Sequence, residues 1–482
     1  MATKMKINNE DIETNRVIDR TSVRKSKQRT KYLLFKCFYL CLTLWLCSTN
    51  ICDALHHHLS HEPAIFAAYT TPNKTINFTH IALDPNSGHI YVGASNWIYQ
   101  FNSNLTLEVA VQTGPIRDSP SCSPGDCQGV DDLQIPLTNN INKVLVIEPF
   151  SRMLIACGSV HQGSCQRHKL GDIGQREELV TVPVVPNDEN SSTIALVGPA
   201  KYFSQHSVPV LYVAATNSRL GPYRDMVPAI SSRSLESGSR LFNIIEKSFT
   251  DSARVDISSH LRDYYLVRYV YGFHSNDFIY FATVQRKSHL RALEEWGYIS
   301  RLARLCVSDA GFHTYTEVTL QCMAPDGTDF NLLQDAVVVK VGNDLADDLH
   351  IERGSQVLVG VFSTSIDHTA KPDQYSALCL YPISEIEEKF TQNIHLCYNG
   401  SVLTRNMDYI AGSVNECPEP GVSVTPFNPY SINQILFKEC IKIFVQWLQS
   451  LLKYFKNHCK HYLTFSEWMS ESHNRESNEM NY

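Results

Sequence analysis

From Asn77 to about Cys417 the apolar residues come in short runs rich in Val, Ile, Tyr and Phe, divided by turn residues. Runs at Thr79–Leu83, His89–Ala94, Trp97–Phe101 and Thr106–Gln112 are split by Asp84–Gly88, Ser95-Asn96 and Asn102–Asn104. These hairpin-sized breaks predict one antiparallel sheet of four strands. The rhythm resumes at Lys143–Ile147, Met153–Cys157, Ile194–Val197 and Val210–Ala215. It continues at Tyr264–Phe273, Asp277–Val284, Gly297–Cys306, Thr314–Gln321, Gln356–Phe362 and Ser376–Tyr381. Repeated small meanders predict an all-β chain built as a β-propeller, whose radial packing leaves only short protected edges. A string of β-sandwiches is the alternative, but no Cys…Trp…Cys spacing supports immunoglobulin-like modules. Two segments break the rhythm. Leu290–Glu295 reads as a short helical or loop excursion, and Ile383–Lys389 as one or two helical turns.

Both ends of the chain change character. Leu33–Ser48 is apolar apart from Lys36 and Thr43, and Arg20, Arg24, Lys25, Lys27, Arg29 and Lys31 precede it. A basic n-region, an apolar h-region and a small residue at Ala54 predict a cleaved signal peptide, with a signal-anchor as the alternative. His56-His57-His58 offers imidazoles, but no neighbouring Cys or carboxylate completes a metal site, so a solvated linker is expected there. In the tail, Ile435, Leu436, Ile441, Phe444, Val445, Leu448, Leu451, Leu452 and Phe455 recur near helical spacing between lysines. That predicts a basic amphipathic helix at a membrane interface or a sequence unrelated to the β-rich part. The expected division is therefore signal peptide 1–54, linker 55–76, propeller 77–421 and atypical tail 422–482.

Composition narrows the function. Among 482 residues, 43% are hydrophobic and 19% charged, and the net charge of −7 comes without long basic runs, so no nucleic-acid footprint is present. Fifteen cysteines with no C-x-x-C pair argue for disulfides in an oxidising compartment rather than structural zinc. Sequons at Asn73, Asn77, Asn104, Asn190 and Asn399 fit N-glycosylation on that route. The short separations of Cys122–Cys127 and Cys157–Cys165 predict two small closed loops. No catalytic motif of the nucleophile-elbow, zincin or P-loop kind occurs. Asp131-Asp132 and Asp347-Asp348 are adjacent carboxylates, whose side chains point apart. The expectation is a protein that is not an enzyme and needs no cofactor or metal.

Gly88-His89-Ile90-Tyr91-Val92-Gly93-Ala94-Ser95-Asn96-Trp97 resembles the first blade of a sema domain. The block from Thr113-Gly114-Pro115 through Asp118-Ser119-Pro120-Ser121-Cys122 and Cys127 resembles plexins rather than semaphorins. So does Leu154 through Cys165. Arg304–Val307, Phe312–Tyr315, Leu333–Ala336, Ser376–Cys379 and Cys397–Gly400 continue the likeness, which covers roughly Ala64 to Gly421. A-type and B-type plexins stay undivided on these motifs.

The resemblance implies a seven-bladed sema propeller, and the match stops short of the family's length, so an incomplete one is expected. It implies a semaphorin-binding module of a cell-surface receptor in axon guidance and cell migration, extracellular, with semaphorin sema domains and homotypic plexin contacts as partners. A secreted structural propeller, or a truncated form without semaphorin binding, is the other reading. The family implies the pairs Cys322–Cys379 and Cys397–Cys417, which leaves Cys306 unpaired unless Cys440 substitutes. For partner contacts the segment Ile230–Phe249 is the candidate. It offers Arg233, Arg240, Phe242, Glu246 and Phe249, of the types that dominate interface energetics. Burial in a strand core is the competing reading for Phe242 and Phe249.

Overall fold

The computed structural model of the chain describes residues 67–71, 76–202, 206–248, 251–398, 402, 404–412, 414 and 416–417. The leader, most of the linker and the tail, and with them Asn73, Phe249 and Asn399, lie outside the described residues.

The first sheet takes Phe78–Leu83, Ile90–Ala94, Trp97–Phe101 and Leu107–Gln112 in chain order, all antiparallel. It is the meander that the alternation of apolar runs and turns predicts. A second sheet joins Asn142–Glu148, Met153–Gly158, Cys165–Lys169 and Asp172–Arg176. A third uses Thr193–Ala200, Val208–Ala215, Ile230–Ser234 and Arg254–Val255. The fourth holds Arg268–Ser275, Phe278–Arg286, Tyr298–Cys306 and Thr316–Thr319. The fifth has three strands, Leu332–Lys340, Gln356–Ser365 and Pro372–Pro382. The first strand of each sheet adjoins the first strand of the next. Five blades therefore stack side by side around their inner strands, the arrangement of a propeller.

Blade stacking explains the sequence pattern. A blade between two others is covered on both faces, so its middle strands read as unbroken apolar runs rather than alternating ones. Leu154-Ile155-Ala156-Cys157 and Leu211-Tyr212-Val213-Ala214 are buried throughout. Separate cores fill the spaces between neighbouring sheets. Tyr91, Leu145 and Leu154 meet between the first and second, and Ile155, Leu211 and Phe242 between the second and third. Tyr212, Tyr269 and Phe281 fill the next gap, and Tyr280, Leu333 and Phe362 the last. On the far face of the fifth sheet Val337, Val361 and Leu378 stay 47%, 40% and 63% exposed, because no described residue covers them.

Helix α1 (Asn343–Asp348) is a single turn and a half, and α2 (Ile383–Tyr398) is longer than the one or two turns expected from sequence. Ile383, Ile386, Phe390 and Ile394 recur at helical spacing and are buried, the first three in the core with the fourth and fifth sheets, which carries α2 past Lys389. Arg304 fixes it: the guanidinium donates to Glu387 at 2.6 Å and lies over the rings of Phe278 and Phe390 at 4.2 and 4.4 Å. The excursion near Leu290 is a 3₁₀ helix, Arg291–Trp296. The strands at Cys165–Lys169, Asp172–Arg176, Ile230–Ser234 and Leu332–Lys340 carry Gln, Arg, His, Ser or Lys among their apolar positions. They are strands because their neighbours supply the ladder, not because their own residues demand it.

Four disulfides tie the described residues together: Cys122–Cys127, Cys157–Cys165, Cys322–Cys379 and Cys397–Cys417. Cys306, expected to be unpaired, is also disulfide-bonded, and its partner is not among the described residues. The other eight cysteines of 122–417 pair with one another, so the partner of Cys306 comes from outside that span.

His168 gives the second blade a pH dependence. It is 1% exposed, and its Nδ1–H donates to the Ile173 carbonyl at 2.8 Å. Burial lowers its pKa from the ordinary 6.5, and the nearby Arg176 adds to the lowering, while the bond to Ile173 opposes it. The unfolded chain then binds this proton before the folded one, so His168 makes stability fall as pH drops below about 6.5. In urea unfolding at pH 7.5 and 5.5, His168→Gln should lose less stability on acidification than the wild type. Equal losses would remove His168 as a cause.

Candidate recognition surface

Arg233 sits on Ile230–Ser234, the third strand of the third blade, where both faces are covered. It is 1% exposed. Its Nε donates to Ser231 Oγ at 3.1 Å and its Nη1 to the Phe242 carbonyl at 3.0 Å, while Nη2 has no protein partner. Burial without a carboxylate lowers its pKa from 12.5 to about 9. Past the strand the chain folds back: Phe242 N–H donates to Ser234 O at 2.8 Å, and Ser234 N–H to Asn243 O at 2.9 Å. This return puts Phe242 in the left-handed region at φ +62° and drives its ring, fully buried, into the core between second and third blades. That conformation is costly for a bulky residue, and the surrounding core holds it. Arg233 and Phe242 are therefore corrected from contact residues to interior ones. A middle strand of a stacked blade has no outer face to offer.

Two members of the set remain at the surface. Arg240 heads the loop after the strand, 76% exposed at its side chain and 3.5 Å from Glu236. Glu246 is exposed on a small hairpin formed with Asp251-Ser252. Ser237 anchors this loop to the second blade by accepting from Arg167 at 3.0 Å. Arg167 is itself paired with Glu177 at 2.7 Å.

A cleft of about 670 Å³ lies at the other end of the strands, where loops of the first three blades converge. Asn77, Trp97, Asp118, Gln162, Asn187 and Glu189 are on its wall. Asp118 is 6% exposed and accepts from His161 N–H at 2.7 Å and Ser119 N–H at 2.9 Å. Gln162 donates to the carbonyls of Ser119 and Cys122, and its Oε1 accepts from Asn187, which in turn accepts from Ser218. The side chains thus bind the loops to one another. Turning the loop at 161–163 takes three successive left-handed residues. At Gly163 a Cβ would meet the Val185 carbonyl oxygen at 1.7 Å, so only glycine fits. Asp118 lies near the sulfurs of Cys122 and Cys127, but these are joined to each other and offer no thiolate to a metal.

The block around Asp118 carries the family likeness in the sequence, whereas its role in tying these loops needs partners more than 40 residues away. Sequon residues Asn77 and Asn190 stand exposed on the cleft wall, and Asn104 is exposed on a turn of the first blade. The adjacent carboxylates serve structure: Asp131 caps a 3₁₀ turn through Leu133 N–H, Asp132 pairs with Arg117, and Asp347 with Arg353. Among the described residues no helix is long and apolar enough to cross a membrane.

The family model for the Sema domain matches residues 333–426. The chain is 30% identical to human Plexin-A2 over 383 residues, covering 77% of this chain and 20% of that protein. It is 31% identical to zebrafish (Danio rerio) Plexin-A4 over 70% of this chain and 18% of that one. A solved structure of the plexin A4 extracellular region superposes with a TM-score of 0.61 at 29% identity, covering 72% of this chain and 35% of that one. The chain thus spans about a fifth of the length of the relatives it matches. The question of type, open on the motifs alone, resolves toward the A-type. With blades, motifs and relatives in agreement, the chain carries a sema domain of the plexin kind, on the A-type side of that family.

Proposed function

We propose that the chain is the semaphorin-binding recognition module of a plexin-type receptor, acting outside the cell in axon guidance and cell migration. The observation that carries this reading is the superposition on the plexin A4 extracellular region at 29% identity. Its partner is the sema domain of a semaphorin, and homotypic plexin contacts are a second use of the same module. Lumenal entry through the leader, cleavage near Ala54 and N-glycans at the five sequons complete the proposal. The exposed Asn77, Asn104 and Asn190 are consistent with it. Of the five residues proposed for partner contact, Arg240 and Glu246 are the described ones that stand exposed, a placement consistent with meeting another protein.

The test is direct. The full chain, secreted from insect cells, is passed over a panel of immobilised semaphorin ectodomains. At least one should bind saturably, and silence across the panel would defeat the proposal in favour of a structural propeller. Arg240→Glu should weaken that binding roughly tenfold, as expected for an exposed arginine anchor. Its unfolding midpoint should stay unchanged, because the Glu236 pair it breaks is exposed. Unaltered affinity would remove the loop from the interface.

A further inference from the structure

The cleft where loops of the first three blades converge holds about 670 Å³, within the range of roughly 300–1,000 Å³ that small-molecule sites occupy. Among the described residues no lysine, arginine or histidine stands on its wall, so it offers no charge to an anion. Two of its three carboxylates are spent on backbone N–H groups. Asp118 accepts from Ser119 and His161, and Asp188 from Asn190 and Ser191, at 2.7 to 2.9 Å. That leaves a guest the Glu189 carboxylate, the Nδ2 of Asn139 and part of the Trp97 indole, which stacks on Tyr99. An aromatic face beside an amide and a carboxylate is the chemistry that takes a sugar. The C–H groups of the sugar ring lie on the indole, and its hydroxyls exchange hydrogen bonds with the polar wall.

Two sequon residues stand exposed on this wall, Asn77 and Asn190. The Asn77 carbonyl accepts from Ser95 N–H at 3.1 Å, two residues from Trp97, so this asparagine is fixed on the blade that carries the indole. Asn190 belongs to the loop leading into the third blade. Buried Lys143 holds that loop by donating to the Glu189 and Ser191 carbonyls at 3.0 and 2.7 Å, so the polar side of the cleft is set before any guest arrives.

We infer that the N-glycan on Asn77 folds into this cleft, with its first N-acetylglucosamine on Trp97 and its polar groups toward Glu189 and Asn139. This packing presupposes the secretory route proposed above. On that route, transfer from a lipid-linked oligosaccharide joins the anomeric carbon to the Asn77 amide nitrogen, which gives up a proton as the lipid diphosphate leaves. The chain's own sugar then fills the cleft and closes this end of the first three blades to a partner.

The full chain, secreted from human cells, is treated without denaturation with a peptide-N-glycosidase, and the conversion of each glycosylated asparagine to aspartate is followed by peptide mass. Asn77 should be released about tenfold more slowly than Asn104, whose turn is exposed, and the two should match once the protein is unfolded. Trp97→Ala should bring Asn77 close to the Asn104 rate and leave Asn104 unchanged. If that variant is not secreted, Trp97→Leu, which keeps apolar bulk without an aromatic face, is read in its place. Native release of Asn77 as fast as Asn104, no acceleration in the Trp97 variant, or a bare Asn77 beside an occupied Asn104 would overturn the inference and leave the secretory route standing. Bare sequons throughout would sink both, and none of these readouts depends on semaphorin binding.

Discussion

Replacing Glu317 with alanine should cost about 3–5 kcal/mol, a large share of the roughly 5–15 kcal/mol that holds a typical domain folded. Glu317 and Arg301 are 2% and 8% exposed at their side chains and lie 2.8 Å apart. Gln285 donates to the same carboxylate at 3.2 Å, and the hydroxyls of Tyr315 and Tyr409 donate to its other oxygen. Burial alone would lower the Arg301 pKa, but Glu317 beside it raises the pKa and holds the guanidinium charged. Burial, and then the carboxylate, push the Tyr409 hydroxyl well up, which keeps it a donor. Without Glu317 a charged guanidinium and two phenols are left buried and short of an acceptor.

The loss would spread beyond the fourth blade. Tyr409 belongs to the stretch that ends at Cys417, and Met407, Tyr409 and Ile410 are buried in the core between third and fourth blades. Ser258 N–H donates to the Tyr409 carbonyl, and Ala411 N–H to that of Asp256. Urea unfolding and secreted yield should both register Glu317→Ala severely, and Glu317→Gln less so, since the amide keeps an acceptor for the phenols. An unfolding midpoint for Glu317→Ala equal to wild type would show that the network contributes nothing net.

The second large effect is expected from the Cys322–Cys379 disulfide, which joins the fourth and fifth blades across 57 residues. Chain-entropy arguments give about 4 kcal/mol for a loop of that length, and about 2 kcal/mol for the five-residue separation of Cys122–Cys127. The double serine variant at Cys322 and Cys379 should therefore be clearly the less stable of the two. Both sulfurs sit beside the cluster that seats α2, so its loss should also loosen the helix. Faster amide exchange confined to Ile383–Tyr398 and the fifth sheet would mark that route. Equal destabilisation by the two double variants would mean that loop length is not what matters here.

The strands of the first blade were legible because each short apolar run ends at its own Asp, Asn, Ser or Gly turn, and local chemistry suffices to close a hairpin. The motifs around Tyr91, Cys157 and Cys379 carried the family, and the two closely spaced cysteine pairs followed from separation alone. The order of those strands, the all-β class and the two short-range disulfides were thus written in the sequence itself. Which side chains reach the surface was not. Arg233 and Phe242 are of contact-residue type, but the third blade lies between the second and the fourth, so both faces of its sheet are covered and the return loop is drawn into the core with the second. Arg240, seven residues after Arg233, is outside because the chain has by then left the sheet. The strands at Cys165–Lys169 and Ile230–Ser234 exist because hydrogen-bonding neighbours lie beside them, a condition that no local run of residues encodes. Asp118 finds His161, and Glu317 finds Tyr409, across separations of 43 and 92 residues. Such pairings depend on how blades meet in space, so they are decided by tertiary packing, whereas the period of a strand and the chemistry of a turn are decided within a few residues of chain.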